Sequence, residues 1–182
     1  MPNECVFSSD RRHRYTLIHR WDELLNPQHG IAWICLNPST ADENQLDPTL
    51  RRIRDFSARW GYSHFIMLNA FAFRATDPAD MKAAADPVGS DNDRWIKHWA
   101  ARVDRVMLGW GEHGAHLARH EQLLALLDPK KIFCLGRNAS GQPKHPLYVA
   151  AATPPAPFLP SAPPTARPRA NLSRNIARST PS

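Results

Sequence analysis

Five short apolar segments recur along the first 135 residues, and stretches of helical period separate them. They are Tyr15–Ile18, Ile31–Leu36, Phe65–Asn69, Val103–Leu108 and Ile132–Leu135. Four of them are almost continuously apolar, which is typical of strands that are buried on both faces of a parallel sheet. The pattern therefore predicts a short sheet of four or five mainly parallel strands.

Three of the intervening segments repeat their apolar residues at the helical spacing of three and four. Asp47 and Pro48 begin the first helix as N-cap and first residue, and Gly61 ends it. Asp91 or Asn92 caps the second. The apolar positions are Leu50, Ile53, Phe56 and Trp60, then Trp95, Ile96 and Trp99, and, from about Ala115 to Leu127, Leu117, Leu123, Leu124 and Leu127. Alternating strands and helices predict a three-layer α/β/α sandwich with right-handed crossovers.

Composition divides the chain into a body and a tail. Eight of the 17 prolines lie in the last 30 residues. From Thr153 onward there are four arginines and no acidic residue, so this segment carries +4 of the formal net charge of +6. Such a segment cannot bury enough apolar surface to offset its ordering entropy. We predict one α/β domain over residues 1–152, folded from about Arg14 to Val149, and a disordered Pro/Ala/Arg-rich tail over residues 153–182.

Charge and cysteine content narrow the class of protein. The pI of about 9.7 favours a nucleic-acid partner, but the body carries only +2 of the charge and gives weak evidence of its own. Three cysteines without a C-x-x-C pair exclude a disulfide framework and indicate a reducing compartment. The polar segment Met1–Tyr15 lacks an apolar stretch, so we expect no signal peptide. Ile31–Leu36, the longest apolar run, is far shorter than the roughly 20 residues of a membrane helix. We expect a soluble, cytoplasmic monomer without a membrane partner.

Polar and aromatic residues follow each of the last four predicted strands, at the sheet edge where open α/β sheets bind ligands. We predict that eight of them line one cleft. They are Asn37 and Asp42, then Asn69, Arg74 and Asp77, then Trp110 and His113, and finally His145. Taken singly, Asn37-Pro38 and Asp77-Pro78 are explained by turn and helix-cap chemistry as well as by a functional role. Turns do not require a tryptophan and two histidines as well.

Two other motifs in this region indicate cofactor or metal chemistry only weakly. The segment Gly109–Gly114 matches G-x-G-x-x-G, but a dinucleotide site requires that loop in the first strand–helix unit. His113, His116 and His120 have the spacing of one helical face and could converge on a metal, although a solvated helix face explains them equally well. We therefore predict no cofactor and no metal. A metal-dependent hydrolase that uses these histidines remains an alternative, ranked below the two functions considered next.

Several short motifs occur in a characteristic order between about Arg14 and Val149. They are Leu36–Asp42, Asp47-Pro48-Thr49, Arg74–Pro78, Asp86-Pro87-Val88-Gly89, Trp110-Gly111 and His145–Tyr148. In these motifs the chain resembles the family called domain of unknown function 1643. This resemblance implies no established activity.

Four short motifs also resemble the uracil-DNA glycosylase superfamily, whose members are α/β/α sandwiches on a short parallel sheet. Asn37-Pro38 is similar to the water-positioning loop of the mismatch-specific branch. Ile66–Ala70 is similar to the strand that ends in a base-reading asparagine, and Leu108–Gly111 to a later strand that ends in Leu-Trp-Gly. Lys144–Pro146 is similar to the His-Pro-Ser loop whose histidine stabilises the departing base, although Leu147 replaces the serine.

The resemblance implies an enzyme that hydrolyses or exchanges the N-glycosidic bond of a nucleobase- or nucleoside-containing substrate. That reaction needs a positioned water, an amide that reads the base edge and a donor to the leaving base. These roles fall to Asn37, Asn69 and His145, with Asp42 as a further catalytic candidate. Trp110 or Phe71 would stack on the base, although Phe71 is more typical of a core residue. Arg74 and His113 would contact a phosphate or carboxylate, and Asp77 would also bind the substrate. The main alternative is a noncatalytic module that binds nucleic acid or nucleotides.

Overall fold

The chain forms a mixed α/β fold with one open sheet. A computed structural model describes residues 4–21, 29–39 and 46–158. The strands are β1 (Glu4–Phe7), β2 (Arg14–Arg20), β3 (Gly30–Cys35), β4 (His64–Asn69), β5 (Val106–Leu108), β6 (Ile132–Cys134) and β7 (Ala156–Pro157). The helices are α1 (Pro48–Arg59), α2 (Pro78–Ala83), α3 (Asn92–Arg102) and α4 (Arg119–Leu126), with 3₁₀ helices at Glu112–Ala118 and Pro146–Tyr148.

The centre of the sheet is parallel and both margins are antiparallel. The strand order is β1-β2-β4-β3-β5-β6-β7, and β4, β3, β5 and β6 run parallel, so that four carboxyl ends meet at one edge. All five predicted segments form strands, but the predicted number of four or five is too low, because the described residues contain seven. The two strands that the sequence did not predict, β1 and β7, are short and lie at the two margins of the sheet. β1 has four residues, and β7 has two, one of them a proline, which only an edge position tolerates.

Helices pack on both faces of the sheet. Successive side chains of a strand point to opposite faces, and β3 divides its residues in this way between two apolar cores. One core joins Ile31, Trp33 and Cys35 to Leu50, Ile53 and Phe56 of α1. The other joins Ala32 and Ile34 to Met81 of α2, Ile96 of α3 and Leu123 of α4. Within the described ranges, none of the helices combines the length and apolarity that crossing a bilayer requires.

Local capping chemistry starts α1 where the sequence predicts it. The Asp47 carboxylate accepts a hydrogen bond from the Leu50 N–H at 2.7 Å, and Pro48 is the first helical residue. The helix ends at Arg59, and Gly61 follows with a φ of 85°, a conformation that favours glycine. Both signals act within a few residues, which is why they can be recognised without tertiary information.

The segment after β5 is not the single helix that the sequence predicts from Ala115. A 3₁₀ helix runs to Ala118, and Leu117 and Ala118 have φ angles of 53° and 52° before α4 begins. Leu117 is 57% exposed rather than buried on an apolar face. The kink separates His113 and His116 from His120, so the three histidines do not share one helical face.

The folded part extends beyond the predicted boundary at residue 152. Strand β7 pairs with β6, the Phe158 N–H donates to the Ile132 carbonyl at 2.9 Å, and the Phe158 ring is buried in the core that contains Trp110. A few backbone hydrogen bonds and one aromatic ring hold this segment, and composition does not reveal them. Residues 159–182 lie outside the described residues, and their predicted disorder stays a prediction.

Candidate functional site

A cleft of about 720 Å³ opens at the carboxyl edge of the parallel strands. Segments that follow all four parallel strands contribute to its wall, together with the first residues of α1 and the 3₁₀ helix Pro146–Tyr148. The cleft brings together four of the eight predicted site residues, namely Asn37, Trp110, His113 and His145. Asn69, Arg74 and Asp77 do not line it, and Asp42 lies outside the described residues.

Backbone carbonyls fix the orientation of the Asn37 amide. Its Nδ2 donates to the Pro38 carbonyl at 3.1 Å and to the Ala75 carbonyl at 2.7 Å. Both partners can only accept hydrogen bonds, so Nδ2 must lie on this side and Oδ1 remains as the acceptor. The side chain can therefore orient a water molecule by accepting one of its hydrogens, but an amide cannot remove a proton from that water.

His145 presents a neutral ring to the cleft. Burial lowers the pKa of His145, and the negative charge of Asp47 opposes that shift only in part. The Leu147 N–H donates to Nδ1 at 3.4 Å, so that the proton of the neutral ring lies on Nε2. His145 can therefore donate a hydrogen bond through Nε2 without carrying a charge.

Asn69 lies beneath the cleft. Its side chain is 1% exposed, and its Nδ2 has no hydrogen-bond partner among the described residues. Asn69 pairs with Cys35 of the neighbouring strand, and it lies two residues after Met67. Cys35 and Met67 both line the cleft, and strand alternation places the Asn69 side chain on the same face. An unpaired buried donor costs about 1–3 kcal/mol, a penalty that an acceptor on a ligand would relieve.

Arg14 is a cleft residue that the sequence analysis missed. It begins β2, is only 4% exposed and nevertheless contributes to the cleft wall. A guanidinium offers five N–H donors in a rigid plane and remains charged at every physiological pH. A charged residue at the end of a strand is usually solvated, so nothing in the local pattern indicated that this one is buried at a site.

The other missed residues lie in motifs that the sequence analysis had noted for other reasons. Asp47 was predicted only as the cap of α1, yet its carboxylate lines the cleft and accepts a hydrogen bond from Ser39 Oγ at 3.0 Å. Tyr148 is 82% exposed at the rim, with its ring centroid 5.7 Å from that of His145. The family motifs Asp47-Pro48-Thr49 and His145–Tyr148 contained this signal.

Arg74 and Asp77 have structural partners away from the cleft. The Arg74 guanidinium lies 5.3 Å from the centre of the Phe7 ring and donates to the Arg11 carbonyl. Asp77 caps α2 by accepting from the Ala79 N–H at 2.8 Å. Their predicted contact with substrate therefore finds no geometric support, because local capping and an arginine–aromatic contact explain both positions.

The aromatic candidates belong mainly to the core. Trp110 is 1% exposed, and its Nε1 donates to Gln142 Oε1 at 2.7 Å. Trp110 nevertheless lines the cleft. Phe71 is fully buried and packs in the core. The exposed Tyr148, rather than either of these, offers an aromatic face at the rim.

The three histidines whose spacing could have brought them to one metal ion do not converge. His113 lies at the cleft rim, where its Nδ1 accepts from Lys82 Nζ at 3.1 Å. In the part of the chain that the structure describes, no group of three or more His, Cys, Asp or Glu side chains is placed to hold a metal ion. The kink before α4 accounts for this difference from the sequence pattern.

The matched family spans the parallel strands and nearly the whole cleft. Residues 14–147 match the family described as "Protein of unknown function (DUF1643)". The chain belongs to this family. No curated protein and no solved structure matches the chain. The DUF1643 match begins at Arg14 and ends one residue before Tyr148, so it contains every polar cleft residue described above except that tyrosine.

Proposed function

We propose that this DUF1643 protein binds a nucleobase- or nucleoside-containing substrate in the cleft and hydrolyses or exchanges its N-glycosidic bond. The observation that carries the proposal is the presence of Asn37 and His145 in one cleft, each with a defined hydrogen-bonding role. Asn37 Oδ1 would orient the attacking water. His145 Nε2 would donate to the base as negative charge develops on it, and a positioned donor of this kind contributes about 10²- to 10⁴-fold to the rate.

The base of the cleft supports recognition of a hydrogen-bond acceptor. Asn69 Nδ2 is a buried donor without a partner among the described residues, and Arg14, whose guanidinium carries donors only, lines the cleft. A nucleobase that presents a carbonyl edge would satisfy the Asn69 donor. Tyr148 at the rim supplies a flat apolar surface for the ring or the sugar.

The positions of the four superfamily-like motifs also support the proposal. Asn37 follows β3, Asn69 ends β4, Trp110 follows β5 and His145 follows β6. Each motif thus belongs to a different parallel strand, and all four motifs meet at one edge of the sheet. We accordingly propose a three-layer, uracil-DNA-glycosylase-like sandwich as the finer description of the fold.

The test measures base release. Purified full-length protein is incubated with single- and double-stranded DNA that carries modified bases, and with free nucleosides, with and without a chelator. We expect release that is insensitive to the chelator, is lost in Asn37→Ala and His145→Ala, and is unchanged in His98→Ala, a control on α3. Tight binding without release, unaffected by the two cleft substitutions, would establish the noncatalytic module instead. Loss of release on chelation would favour the metal-dependent hydrolase.

A further inference from the structure

The cleft contains a carboxylate for which the proposed roles of Asn37 and His145 give no function. Asp47 is half-buried and lines the cleft immediately before α1. Its charge acts on two other cleft residues. It adds to the effect of burial in raising the pKa of Cys35, and it opposes the effect of burial on the pKa of His145. The carboxylate is therefore close to both the sheet edge and the histidine.

Hydrogen bonds fix Asp47 relative to both walls of the cleft. Its Oδ2 accepts from Ser39 Oγ at 3.0 Å, in the loop that carries Asn37, and its Oδ1 accepts from the Leu50 N–H at 2.7 Å. Helix α1 in turn packs against the 3₁₀ helix Pro146–Tyr148, and Arg52 donates to the Val149 carbonyl. Each carboxylate oxygen has two lone-pair directions, so these bonds leave acceptor capacity on Asp47.

Among the described residues, the roles given to Asn37 and His145 leave the proton of the attacking water without an acceptor. The amide of Asn37 cannot take it, and His145 must keep its Nε2 proton for the departing base. Among the described residues, Asp47 and Glu112 are the acids that line the cleft. Glu112 accepts a hydrogen bond from Ser140 Oγ, in the segment that follows β6. Asp47 is the acid that hydrogen bonding connects to that loop.

We propose that Asp47 is a catalytic carboxylate that accepts the proton of the attacking water and stabilises the positive charge developing on the sugar. This inference rests on the proposed function. The water oxygen bonds to the anomeric carbon as the carbon–nitrogen bond breaks, and the bonding electron pair leaves with the base. One water proton passes to Asp47, and the departing base nitrogen takes up one proton from solvent while His145 Nε2 donates to its oxygen. Asp47 returns its proton to solvent, so the products are the free base and the sugar.

Capping of α1 explains Asp47 without any chemistry, and a second position in the chain separates the two explanations. Asp86 precedes Pro87, and its Oδ1 accepts from the Gly89 N–H three residues later at 2.9 Å, but Asp86 lies outside the cleft. Asn is about as good a cap as Asp. Asp47→Asn therefore keeps the hydrogen bond to the helix and removes the charge, and Asp86→Asn is its matched control.

The first measurement is the kinetics of base release by the full-length protein. We expect Asp47→Asn to lower kcat by about 10²- to 10⁴-fold with little change in KM, and to leave the melting temperature near that of the wild type. Asp86→Asn should leave kcat unchanged. Wild-type kcat in Asp47→Asn, with release still lost in Asn37→Ala, would overturn this inference and leave the proposed function intact. Absence of release by the wild type would overturn both.

The second measurement does not depend on turnover. A cationic pyrrolidine analogue of the nucleoside imitates the charged sugar, and the matching tetrahydrofuran analogue is uncharged. We expect the wild type and Asp86→Asn to bind the cationic analogue more tightly than the uncharged one, and Asp47→Asn to lose at least tenfold of that preference. An unchanged preference in Asp47→Asn would show that the carboxylate does not stabilise a cationic sugar, which overturns the inference.

Discussion

A neutral histidine lies at each edge of the parallel sheet, and the cleft opens at the carboxyl edge. At the carboxyl edge, burial lowers the pKa of His145 beside open volume and an unpaired Asn69 donor. At the amino edge, burial lowers the pKa of His64 to about 4, but its ring packs against Gly30 and bonds to Ser63 Oγ at 3.0 Å. A histidine with a lowered pKa is thus insufficient evidence for a functional site. An accessible cavity and unsatisfied donors have to accompany it.

The largest expected effect is the difference in kcat between substitution of His145 and substitution of His64. His145→Ala should lower kcat for base release by about 10²- to 10⁴-fold, because the donor to the leaving base is lost, with only a small change in thermal stability. His64→Ala should leave kcat within about twofold below its melting temperature but destabilise the protein by about 2 kcal/mol, because it opens a cavity. Steady-state kinetics and urea unfolding of both variants measure this. Equal kinetic losses would remove the distinction between the edges.

A side chain added at the amino edge of the sheet, where His64 packs against Gly30, should lower stability and leave the cleft unchanged. A Cβ on Gly30 would overlap the His64 ring, which is 6% exposed, so that the ring would have to shift. We expect Gly30→Ala to destabilise the protein by about 1–3 kcal/mol, measured by urea unfolding. In the His64→Ala background the same change should cost less than about 1 kcal/mol, because the overlap is gone. A cost that is the same in both backgrounds would place the strain elsewhere.

Lowering the pH should destabilise the protein through protonation of His64 at the amino edge. With the pKa of His64 at about 4 in the folded protein and 6.5 when unfolded, only the unfolded state binds the proton between these values. Stability therefore falls as pH falls through this window, by about 1.4 kcal/mol per unit, and His64 adds nothing further below pH 4. The difference between wild type and His64→Gln in urea unfolding at pH 7, 6 and 5 isolates this contribution. A pH-independent difference would contradict it.

The smallest expected effect concerns Asn69 Nδ2, the unpaired donor at the carboxyl edge. Asn69→Leu removes a buried polar group without a partner and should stabilise the protein by up to about 1 kcal/mol, while it abolishes ligand binding. Asn92→Leu is the control, because Asn92 Nδ2 donates to the Asn69 and Ala70 carbonyls at 3.0 and 3.2 Å, and its loss should destabilise. Urea midpoints of both variants decide this. Destabilisation in both would mean that the Asn69 amide is satisfied in the folded protein.

Periodicity predicted the central elements because those strands are buried on both faces. The segments Ile31–Leu36 and Phe65–Asn69 became β3 and β4 almost residue for residue. The margins escaped prediction, since β1 and β7 are short and pair by backbone bonds that leave little trace in side-chain pattern. The kink at Leu117 escaped as well, because two non-glycine residues adopt positive φ there.

Cleft residues could be predicted from the sequence only where they directly follow one of the parallel strands. Asn37 and His145 follow strands of one parallel set, so the edge rule sufficed to place them together. Arg14 comes from an antiparallel strand, and Asp47 from a helix cap, and no rule about carboxyl ends reaches either of them. Arg74 and Asp77 were included because they follow β4. Ala75, Thr76 and Pro78 do line the cleft, but the Arg74 side chain lies over the Phe7 ring and the Asp77 carboxylate caps α2.

The peptide segment after β4 has a consequence for hydrogen exchange. The amides of Ala70 and Phe71 donate to the Cys35 and Leu36 carbonyls at 2.8 and 2.9 Å, and the buried Arg119 donates to the Ala70 carbonyl at 2.7 Å. Opening these bonds requires separation of the central strands, so both amides should exchange only on global unfolding. The Tyr148 amide, bonded at the exposed rim, should exchange by local opening. We therefore expect the segment after β4 to stay assembled for as long as the protein is folded, and the rim of the cleft at Tyr148 to open locally.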